Sequence, residues 1–515
     1  MPRRVLEEGG FYDRDPRDYG LRVAVIYPGP YEAAVNSLGH QIVYYLANSV
    51  PGVLAERFTL DSVGSVESGL NLREFNVIIA SLHFEGQVHT LLSMLREAGI
   101  PLRREGRDTP VVVGGPVTAN PLPLEGFADA VAVGDGEGTV QEILRILLEG
   151  GGVEDLGSVE GVYTPGGRAR FRRSPLTYLP EGQIRARLPN GKQNPFLLEL
   201  SRGCSHGCRF CLLGWTQRPR RDRPLGQLMS QVELAKELGF RKVYIIGSDV
   251  LGHPKALDIL QRVIDEGLKL SLPSLRADMV TAEMAEVLRA SGLRKVSLAP
   301  ETGSPRLAAA INKRSVLEEI LEASELLKAA GIRELKLYLM VGLPGEAKED
   351  LSATAELARL VKSAGVRVEL SVSQFVPKPH TPLQLAPMAR PDAYRSGVRY
   401  LRARAGVRVK AVHPGRAALQ GLVSLAPRGS SAAVLEAAEG PYRLSNYFRA
   451  FARWGLNPER ILYGSRDAPW RDAVDTGVRD EALQAESERA EAGVTTPSCD
   501  EQCWGCGVCP LSPHP

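Results

Sequence analysis

The sequence lacks any long apolar run. None of its hydrophobic stretches approaches the roughly 20 residues that a membrane-spanning helix needs, and the first twenty residues contain no apolar core of signal-peptide length. An excess of one charge is also missing, because 63 basic and 60 acidic side chains leave a formal net charge of only +3. We therefore expect a cytoplasmic protein with no membrane partner. The charge does not indicate nucleic-acid binding, although a local basic patch leaves that partner open.

Isolated cysteines are absent as well. All seven cysteines of the 515-residue chain fall into two tight groups, three at positions 204–211 and four at positions 499–509. Such grouping argues against disulfides and favours metal or iron–sulfur ligation in a reducing compartment. The length of the chain predicts two to four domains.

The first group lies in the loop "SRGCSHGCRFC", directly after a short apolar strand predicted at Phe196–Leu200. Cys204, Cys208 and Cys211 supply three thiolates, and the aromatic Phe210 precedes the last of them. Three thiolates on one loop can hold three irons of a [4Fe–4S] cube and leave the fourth iron open. The alternatives are a zinc site, which normally takes four ligands, and a redox pair.

The string "CSHGCRFC" resembles the three-cysteine signature of the radical SAM superfamily, with Phe210 at the usual aromatic position. The resemblance continues from Arg22 to Cys509 through "LPSLRAD", "APETGSPRL", "KLYLMVGLP", "FVPKPHTP" and "TTPSCDEQCWGCGVC", and it points to a branch with a cobalamin-binding-like N-terminal domain. It implies a [4Fe–4S] cluster, S-adenosylmethionine (SAM) and an external one-electron donor of the flavodoxin or ferredoxin type. It also implies a 5′-deoxyadenosyl radical that abstracts hydrogen from a substrate that the sequence does not identify.

The pattern of strands and helices predicts an α/β protein with several domains. Strand and helix alternate from Leu21, which favours a Rossmann-like parallel sheet, and six further βα units from Pro195 favour a partial (β/α)6 barrel. The expected divisions are a leader (1–20), the Rossmann-like domain (21–150), a hairpin and linker (151–194), the barrel (195–385), a small helical region (386–497) and a four-cysteine tail (498–515).

The carboxyl ends of the Rossmann-like strands carry Ser81, Gly114 and Gly115. Ligands of such sheets bind at these ends, where glycine permits a close approach to the backbone. The resemblance implies cobalamin there, yet the histidine motif that ligates cobalt, Asp-x-His-x-x-Gly, is absent from "YPGPYEAAVNSLG" after the first strand. The two alternatives are a cobalamin bound without that histidine and a domain that kept the fold without the cofactor. Ordinary turns would also explain the glycines.

The ends of the barrel strands supply candidate SAM contacts. The resemblance assigns Gly247, Ser248 and Asp249 to the SAM amino group, Arg276 to its carboxylate, Glu301 to the ribose hydroxyls and Gly342 to the adenine. Simpler alternatives are an ion pair between Arg276 and Asp278, and helix capping by Glu301. On the proline-rich loop after the sixth strand, Lys378 and His380 are substrate-side candidates, although a loop histidine is more often a surface residue. The basic run 218–223 is a candidate for contact with an anionic substrate. The alternatives are a solvated face and neutralisation of the charge of the cluster.

The second cysteine group comprises Cys499, Cys503, Cys506 and Cys509, and Pro510 follows it as in some cluster-binding runs. We expect a second [4Fe–4S] cluster here, with zinc as the alternative. The predicted function is radical SAM chemistry, including cobalamin-dependent methylation. Two alternatives stay open: a cobalamin-independent enzyme such as a methylthiotransferase-like modifier, and a non-catalytic iron–sulfur or cobalamin carrier.

Overall fold

The computed structural model describes residues 6–314 and 317–509. Pro510, which follows the last cysteine, lies outside the described residues. The start of the expected leader also lies outside them. The chain forms two compact units. The first comprises residues 1–194, 419–461 and 466–477, and the second comprises residues 195–418, 462–465 and 478–515.

The strands, in chain order, are β1 (Leu6–Gly9), β2 (Leu21–Tyr27), β3 (Val53–Thr59), β4 (Val77–Ser81), β5 (Val111–Gly114), β6 (Ala130–Ala132), β7 (Val162–Tyr163), β8 (Ala169–Arg170), β9 (Arg185–Arg187), β10 (Phe196–Glu199), β11 (Ser201–Arg202), β12 (Arg221–Asp222), β13 (Lys242–Ile246), β14 (Lys269–Ser271), β15 (Lys295–Glu301), β16 (Glu334–Val341), β17 (Arg367–Gln374), β18 (Arg408–Ala411) and β19 (Val474–Asp475). The α-helices are α1 (Tyr31–Ala34), α2 (Leu38–Asn48), α3 (Gly86–Glu97), α4 (Thr139–Leu148), α5 (Leu212–Thr216), α6 (Leu225–Glu237), α7 (Ala256–Asp265), α8 (Ala282–Ala290), α9 (Pro305–Ala310), α10 (Leu317–Ala329), α11 (Lys348–Ser363), α12 (Pro391–Arg404), α13 (Pro414–Ser424), α14 (Ser431–Ala438), α15 (Leu444–Arg453), α16 (Pro458–Tyr463), α17 (Trp470–Ala473) and α18 (Asp480–Ala492). Short 3₁₀ helices cover Pro16–Asp18, Leu72–Glu74, Pro116–Ala119, Leu122–Leu124, Val153–Ser158 and Ala277–Met279.

The first unit is built on a six-stranded sheet with the order β3-β2-β4-β5-β6-β7. Its strands are parallel except β7, which pairs antiparallel with β6. β2 and β4 are rich in β-branched residues and are buried along most of their length, as expected of parallel strands covered on both faces. The predicted Rossmann-like architecture is therefore confirmed.

Three segments of this unit differ from the sequence expectations. β1, within the expected leader, pairs antiparallel with β9, within the expected linker. The end of the expected linker is ordered rather than a loose connection. The buried side chain of Asn194 accepts a hydrogen bond from the Ala186 amide and donates one to the Ile184 carbonyl. The expected hairpin has its turn at Gly166, but β7 pairs with β6 whereas β8 pairs with β19. The reason is that Val162 and Tyr163 bury their side chains by extending the main sheet.

The helical C-terminal region does not form a unit of its own. Residues 419–461, which include α14 and α15, belong to the first unit. The buried Asn120 side chain donates to the carbonyls of Ser424 and Ala426, at 3.0 and 2.9 Å, and so joins this segment to the strand ends of the first sheet.

The second unit contains the predicted partial barrel. β10, β13 and β14 form one parallel sheet, and β15, β16, β17 and β18 form another. A parallel bridge between Leu275 and Leu298 continues one sheet into the other. α6, α7, α8, α10 and α11 cover the strands, and their apolar faces share one core with them.

The structure adds a seventh parallel strand, β18, which the sequence did not indicate because its exposed positions are charged. It follows α12 and thus continues the βαβ rhythm beyond the sixth strand. Among the residues that the structure describes, no helix is both long and apolar enough to cross a membrane.

Candidate functional site

The first cysteine group lies on residues 203–217, here called the cluster loop. The ladder between β11 and β12 closes the base of this loop. Gly203 begins it with φ +77°, and a Cβ at that position would lie 2.4 Å from the Gln217 carbonyl oxygen, so only glycine fits there. Cys211 then caps the N-terminus of α5, because its sulfur accepts a hydrogen bond from the Gly214 amide at 3.4 Å.

All three thiols of the cluster loop line one cavity of about 180 Å³. The other walls come from the carboxyl ends of β13, β14 and β15, as a barrel enzyme requires. The lining residues are Cys204, His206, Cys208, Phe210, Cys211, Ser248, Asp249, Val250, Leu251, Ser274, Leu275, Arg276, Ala299, Glu301 and Lys313.

The thiols suit a cluster better than a single ion. Burial, and then repulsion from Cys208, raises the pKa of Cys204 to about 12, and the same causes raise the pKa of Cys211. Iron relieves this repulsion because it binds the thiolate form. Among the described residues no three carboxylates, imidazoles or thiols converge on one ion. A [4Fe–4S] cube does not need such convergence, since each thiolate binds a different iron.

Asp249 is the anionic group of the cavity. His206 Nε2 lies 3.1 Å from Asp249 Oδ2, and Arg220 Nη1 lies 3.3 Å from the same oxygen. Burial opposes ionisation, but the hydrogen bond from His206 and the charges of Arg220 and Arg276 hold the pKa of Asp249 below its usual value. The side chain is therefore a carboxylate near neutral pH, held in place by two neighbours.

Arg276 is the cationic group opposite. Its Nε donates to Asp278 Oδ1 at 3.0 Å and its Nη2 bonds to the other oxygen, so the ion pair expected as a simpler alternative is present. Nη1 has no protein partner among the described residues, and the side chain still lines the cavity. The ion pair and a ligand contact are thus compatible.

Glu301 ends β15 in an unusual backbone conformation, with φ +67°. Residues other than glycine rarely adopt this region, and such strain clusters at functional sites. Burial raises the pKa of Glu301 to about 7, against the opposing charge of Lys313. Helix capping is not its role, because the Ser304 side chain caps α9 by accepting from the Leu307 amide.

The remaining predicted residues of the barrel do not line the cavity. Gly247 directly precedes the lining residue Ser248, and Gly342 has its amide bound by Glu346 and a Cβ position only 2.6 Å from Ala389. His380 is not a surface residue: it is buried, with φ +57° and its amide donating to Gln384. Lys378 lies on the same loop, and its carbonyl accepts from Thr381.

The basic run is not a solvated face. Arg223 is buried and lies 2.5 Å from Glu199, and the nearly buried Arg220 contacts Asp222 and Asp249. These residues stabilise the cluster loop and hold Asp249. The solvated face is therefore not seen for Arg220 and Arg223, whereas contact of the run with an anionic substrate stays a prediction.

In the first unit, Ser81, Gly114 and Gly115 end neighbouring strands as expected. Gly115 has φ +102°, and a Cβ there would lie 2.4 Å from the Leu82 carbonyl, so this glycine serves packing of the protein itself. The same strand ends expose His83 and Phe84, and His83 Nε2 lies 3.0 Å from the Ser37 hydroxyl. An exposed aromatic and an exposed imidazole suit a flat corrinoid, whereas the usual cobalt-ligating motif is missing.

The second cysteine group lies on residues 498–509, here called the tail loop, and it is joined to the cluster loop. The Cys499 amide donates to the Ser205 carbonyl at 2.9 Å, and Arg218 Nη1 donates to Cys499 Sγ at 3.2 Å. Cys506 is buried, whereas Cys499, Cys503 and Cys509 are exposed.

Sequence reasoning missed several residues of this arrangement. His206 could have been found from its position between two cysteines of the signature, and Trp504 from its position between Cys503 and Cys506. Lys313 and Arg209 carry no such signal, because distant segments of the chain bring their partners to them.

Two family profiles match the chain. The Radical SAM superfamily profile matches residues 198–358, and the profile for the N-terminal part of radical SAM proteins matches residues 39–165. An uncharacterized protein of Methanocaldococcus jannaschii is 30% identical over 70% of this chain and 79% of that protein. The chain belongs to the radical SAM superfamily, and it is an enzyme whose family implies a [4Fe–4S] cluster and SAM.

More distant similarities lie in two directions. A tRNA-2-methylthio-N(6)-dimethylallyladenosine synthase of Fervidobacterium nodosum is 26% identical over 31% of this chain and 40% of that protein. The solved structure of the radical SAM methyltransferase TsrM of Kitasatospora setae, with cobalamin and a [4Fe–4S] cluster bound, has a TM-score of 0.52 and 15% identity, and the match covers 92% of this chain and 99% of that one. At this identity the likeness shows the fold.

Radical SAM enzymes generally need an external electron donor.

Proposed function

We propose that this radical SAM enzyme abstracts hydrogen from a substrate at the mouth of the barrel and methylates it with cobalamin as methyl carrier. The observation that carries the first part is the cavity itself, where the three thiols meet Asp249, Arg276 and Glu301. Support for the second part is the Rossmann-like first unit and the TsrM-like fold over nearly the whole chain.

Cys204, Cys208 and Cys211 would hold the cluster. When bound, a [4Fe–4S] cluster supplies the electron that splits SAM into methionine and a 5′-deoxyadenosyl radical. The protein itself would position SAM and limit the access of water to the cavity. Most of the lining residues are buried or half-buried, which supports this role.

The charges of the cavity match those of SAM. Asp249 suits the SAM ammonium group, and the unoccupied Nη1 of Arg276 suits its carboxylate. Glu301 and Lys313 form no ion pair with one another or with other described residues, so each is available to the ribose hydroxyls. In the first unit, the strand ends near Ser81 and His83 would hold the corrinoid, which supplies a transferable methyl group when bound.

The expected donor is a reduced protein of the flavodoxin or ferredoxin type, and the expected compartment is the cytoplasm. None of the seven cysteines forms a disulfide, and thiols must stay reduced to ligate iron.

The decisive test is anaerobic reconstitution, followed by iron, sulfide, zinc and corrinoid assays and by measurement of 5′-deoxyadenosine formed from SAM. Cys208→Ala should lose the iron of one cluster and all cleavage of SAM. Gln261→Ala, an exposed change on α7, is the matched control and should retain both. A wild-type protein that binds iron but forms no 5′-deoxyadenosine would contradict the proposal and favour a carrier.

A second candidate is methylthio transfer, favoured by the partial similarity to the tRNA methylthio synthase of Fervidobacterium nodosum. It predicts no corrinoid in the purified protein and sulfur in the product. Corrinoid bound in stoichiometric amount would count against it.

A further inference from the structure

The tail loop packs against the cluster loop through several specific contacts. Thr496, just before it, exchanges two hydrogen bonds with Asn312, at 2.9 and 3.2 Å. The Cys499 amide then reaches the Ser205 carbonyl, between two residues that line the cavity. Both loops belong to the second unit, so the contacts lie within one compact body.

Arg218 joins the two loops through its guanidinium. Nε donates to the Gly214 carbonyl at 2.7 Å, Nη2 donates to the His206 carbonyl at 2.9 Å, and Nη1 donates to Cys499 Sγ. The side chain is 1% exposed, and no carboxylate contacts it among the described residues. A buried cation needs an anionic partner. The sulfur of Cys499 is the contact that can carry that charge, as a thiolate bound to metal.

Two tryptophans contact this cation. The Arg218 guanidinium lies 4.6 Å from the Trp215 ring centroid and 4.7 Å from that of Trp504, and the two rings are 5.5 Å apart. Trp215 Nε1 donates to the Cys208 carbonyl at 2.9 Å. A continuous series of contacts therefore leads from Trp504 of the tail loop, through Arg218 and Trp215, to the backbone of the proposed ligand Cys208.

The tail loop also carries a polar group without a partner. Trp504 Nε1 is buried and has no acceptor among the described residues. A buried indole N–H normally finds an acceptor. Sulfur atoms of an iron–sulfur cluster accept such hydrogen bonds. The unpaired N–H of Trp504 therefore points to an acceptor that a bound cluster would supply.

Solvent also reaches the thiols of the tail loop. Cys499, Cys503 and Cys509 are exposed and Cys506 is buried, and of the exposed three Cys499 also contacts Arg218. A centre held by these four thiols would have one edge at the surface and one edge against the cluster loop. That placement suits a group that receives an electron from a docked protein.

We infer that the tail loop holds a redox-active [4Fe–4S] cluster that relays single electrons from a reduced flavodoxin- or ferredoxin-type protein to the cluster loop. The donor protein loses one electron and the cluster of residues 204–211 gains one, while the tail centre returns to its starting state and no bond forms or breaks. This inference rests on the proposed cluster of Cys204, Cys208 and Cys211. Zinc in the tail loop is redox-inert and excludes the relay.

The test compares two electron sources. Dithionite, a small reductant, reaches the cavity directly, whereas a reduced flavodoxin must dock on the surface. In a Cys503→Ser, Cys509→Ser double variant, the ratio of flavodoxin-driven to dithionite-driven SAM cleavage should fall at least tenfold. Gln502→Ala, an exposed change beside Cys503, is the matched control and should keep the wild-type ratio.

A spectroscopic readout accompanies this ratio. The reduced wild-type protein should show electron paramagnetic resonance signals of two clusters broadened by their mutual coupling, and the double variant should show one unbroadened signal with correspondingly less iron and sulfide. Zinc in the wild-type tail, or an unchanged ratio after loss of the second signal, would overturn the relay. Absence of SAM cleavage with both reductants in the wild type would instead contradict the proposed function.

Discussion

Glu486 offers the sharpest test of how the cluster loop is held. Its carboxylate is 1% exposed and lies 2.9 Å from Nε of Arg209, whose side chain is fully buried between Cys208 and Phe210. Arg209 also donates to the carbonyls of Ala309 and Ala310, each at 3.0 Å. We predict that Glu486→Leu leaves the guanidinium without its counter-charge.

The magnitude follows from the burial of the pair. Removing one member of a buried ion pair costs about 3–5 kcal/mol. The carbonyls of Ala309, Ala310 and Val494 continue to solvate Arg209, so we expect a loss near the lower limit, about 3 kcal/mol. Glu486→Gln keeps an acceptor for Arg209 and should lose less than Glu486→Leu. Glu488→Gln, an exposed change on the same helix, should alter the free energy of unfolding by no more than about 0.5 kcal/mol.

The assay is anaerobic urea denaturation followed by tryptophan fluorescence, because Trp215 and Trp504 lie in the same unit as this ion pair. Iron content should fall in parallel, since Arg209 is next to the proposed ligand Cys208. A Glu486→Leu protein within 1 kcal/mol of the wild type, with full iron content, would refute the reasoning.

Three further predictions concern other positions. Burial raises the pKa of Glu301 from 4.5 to about 7, so the folded state binds more protons than the unfolded state across that window and stability falls as pH rises through it. Glu301→Gln should remove the Glu301 contribution to this slope in urea denaturation between pH 5 and 8, while Glu346, whose pKa burial also raises to about 7, keeps its own contribution. The variant should gain roughly 3 kcal/mol at pH 8 and bind SAM more weakly. Asp249→Asn should raise the SAM dissociation constant of the reconstituted protein at least tenfold in equilibrium dialysis, with Asp258→Asn, an exposed change on α7, as comparison. Gly115→Ala should lower the melting temperature more than Gly106→Ala, because both have positive φ but only Gly115 faces a carbonyl within 2.4 Å.

Much of the fold was predictable because periodicity was strong. The spacing of apolar residues predicts helices at Leu225–Glu237, Ala282–Ala290 and Leu317–Ala329, and α6, α8 and α10 have these bounds. Each has an apolar stripe that packs on the barrel strands. β18 escaped prediction because its alternate side chains are exposed and charged. The pairing of β8 with β19 joins residues about 300 positions apart, and nothing local indicates it.

The candidate site was predictable in part for a similar reason. Cysteine spacing and strand ends give Cys204, Asp249 and Glu301, because a barrel brings the carboxyl ends of its strands together. The contact of Cys499 with Arg218 depends on the path of the chain between them. The pattern of the basic run showed positive charge, but it did not show that the charge is buried.

The most direct test of the open iron is electron–nuclear double resonance on the reduced protein with SAM labelled with ¹⁵N at its amino group. The account predicts hyperfine coupling between the cluster of Cys204, Cys208 and Cys211 and the labelled nitrogen, and loss of this coupling in Cys208→Ala. A protein with full iron content that binds SAM without any such coupling would contradict the central claim.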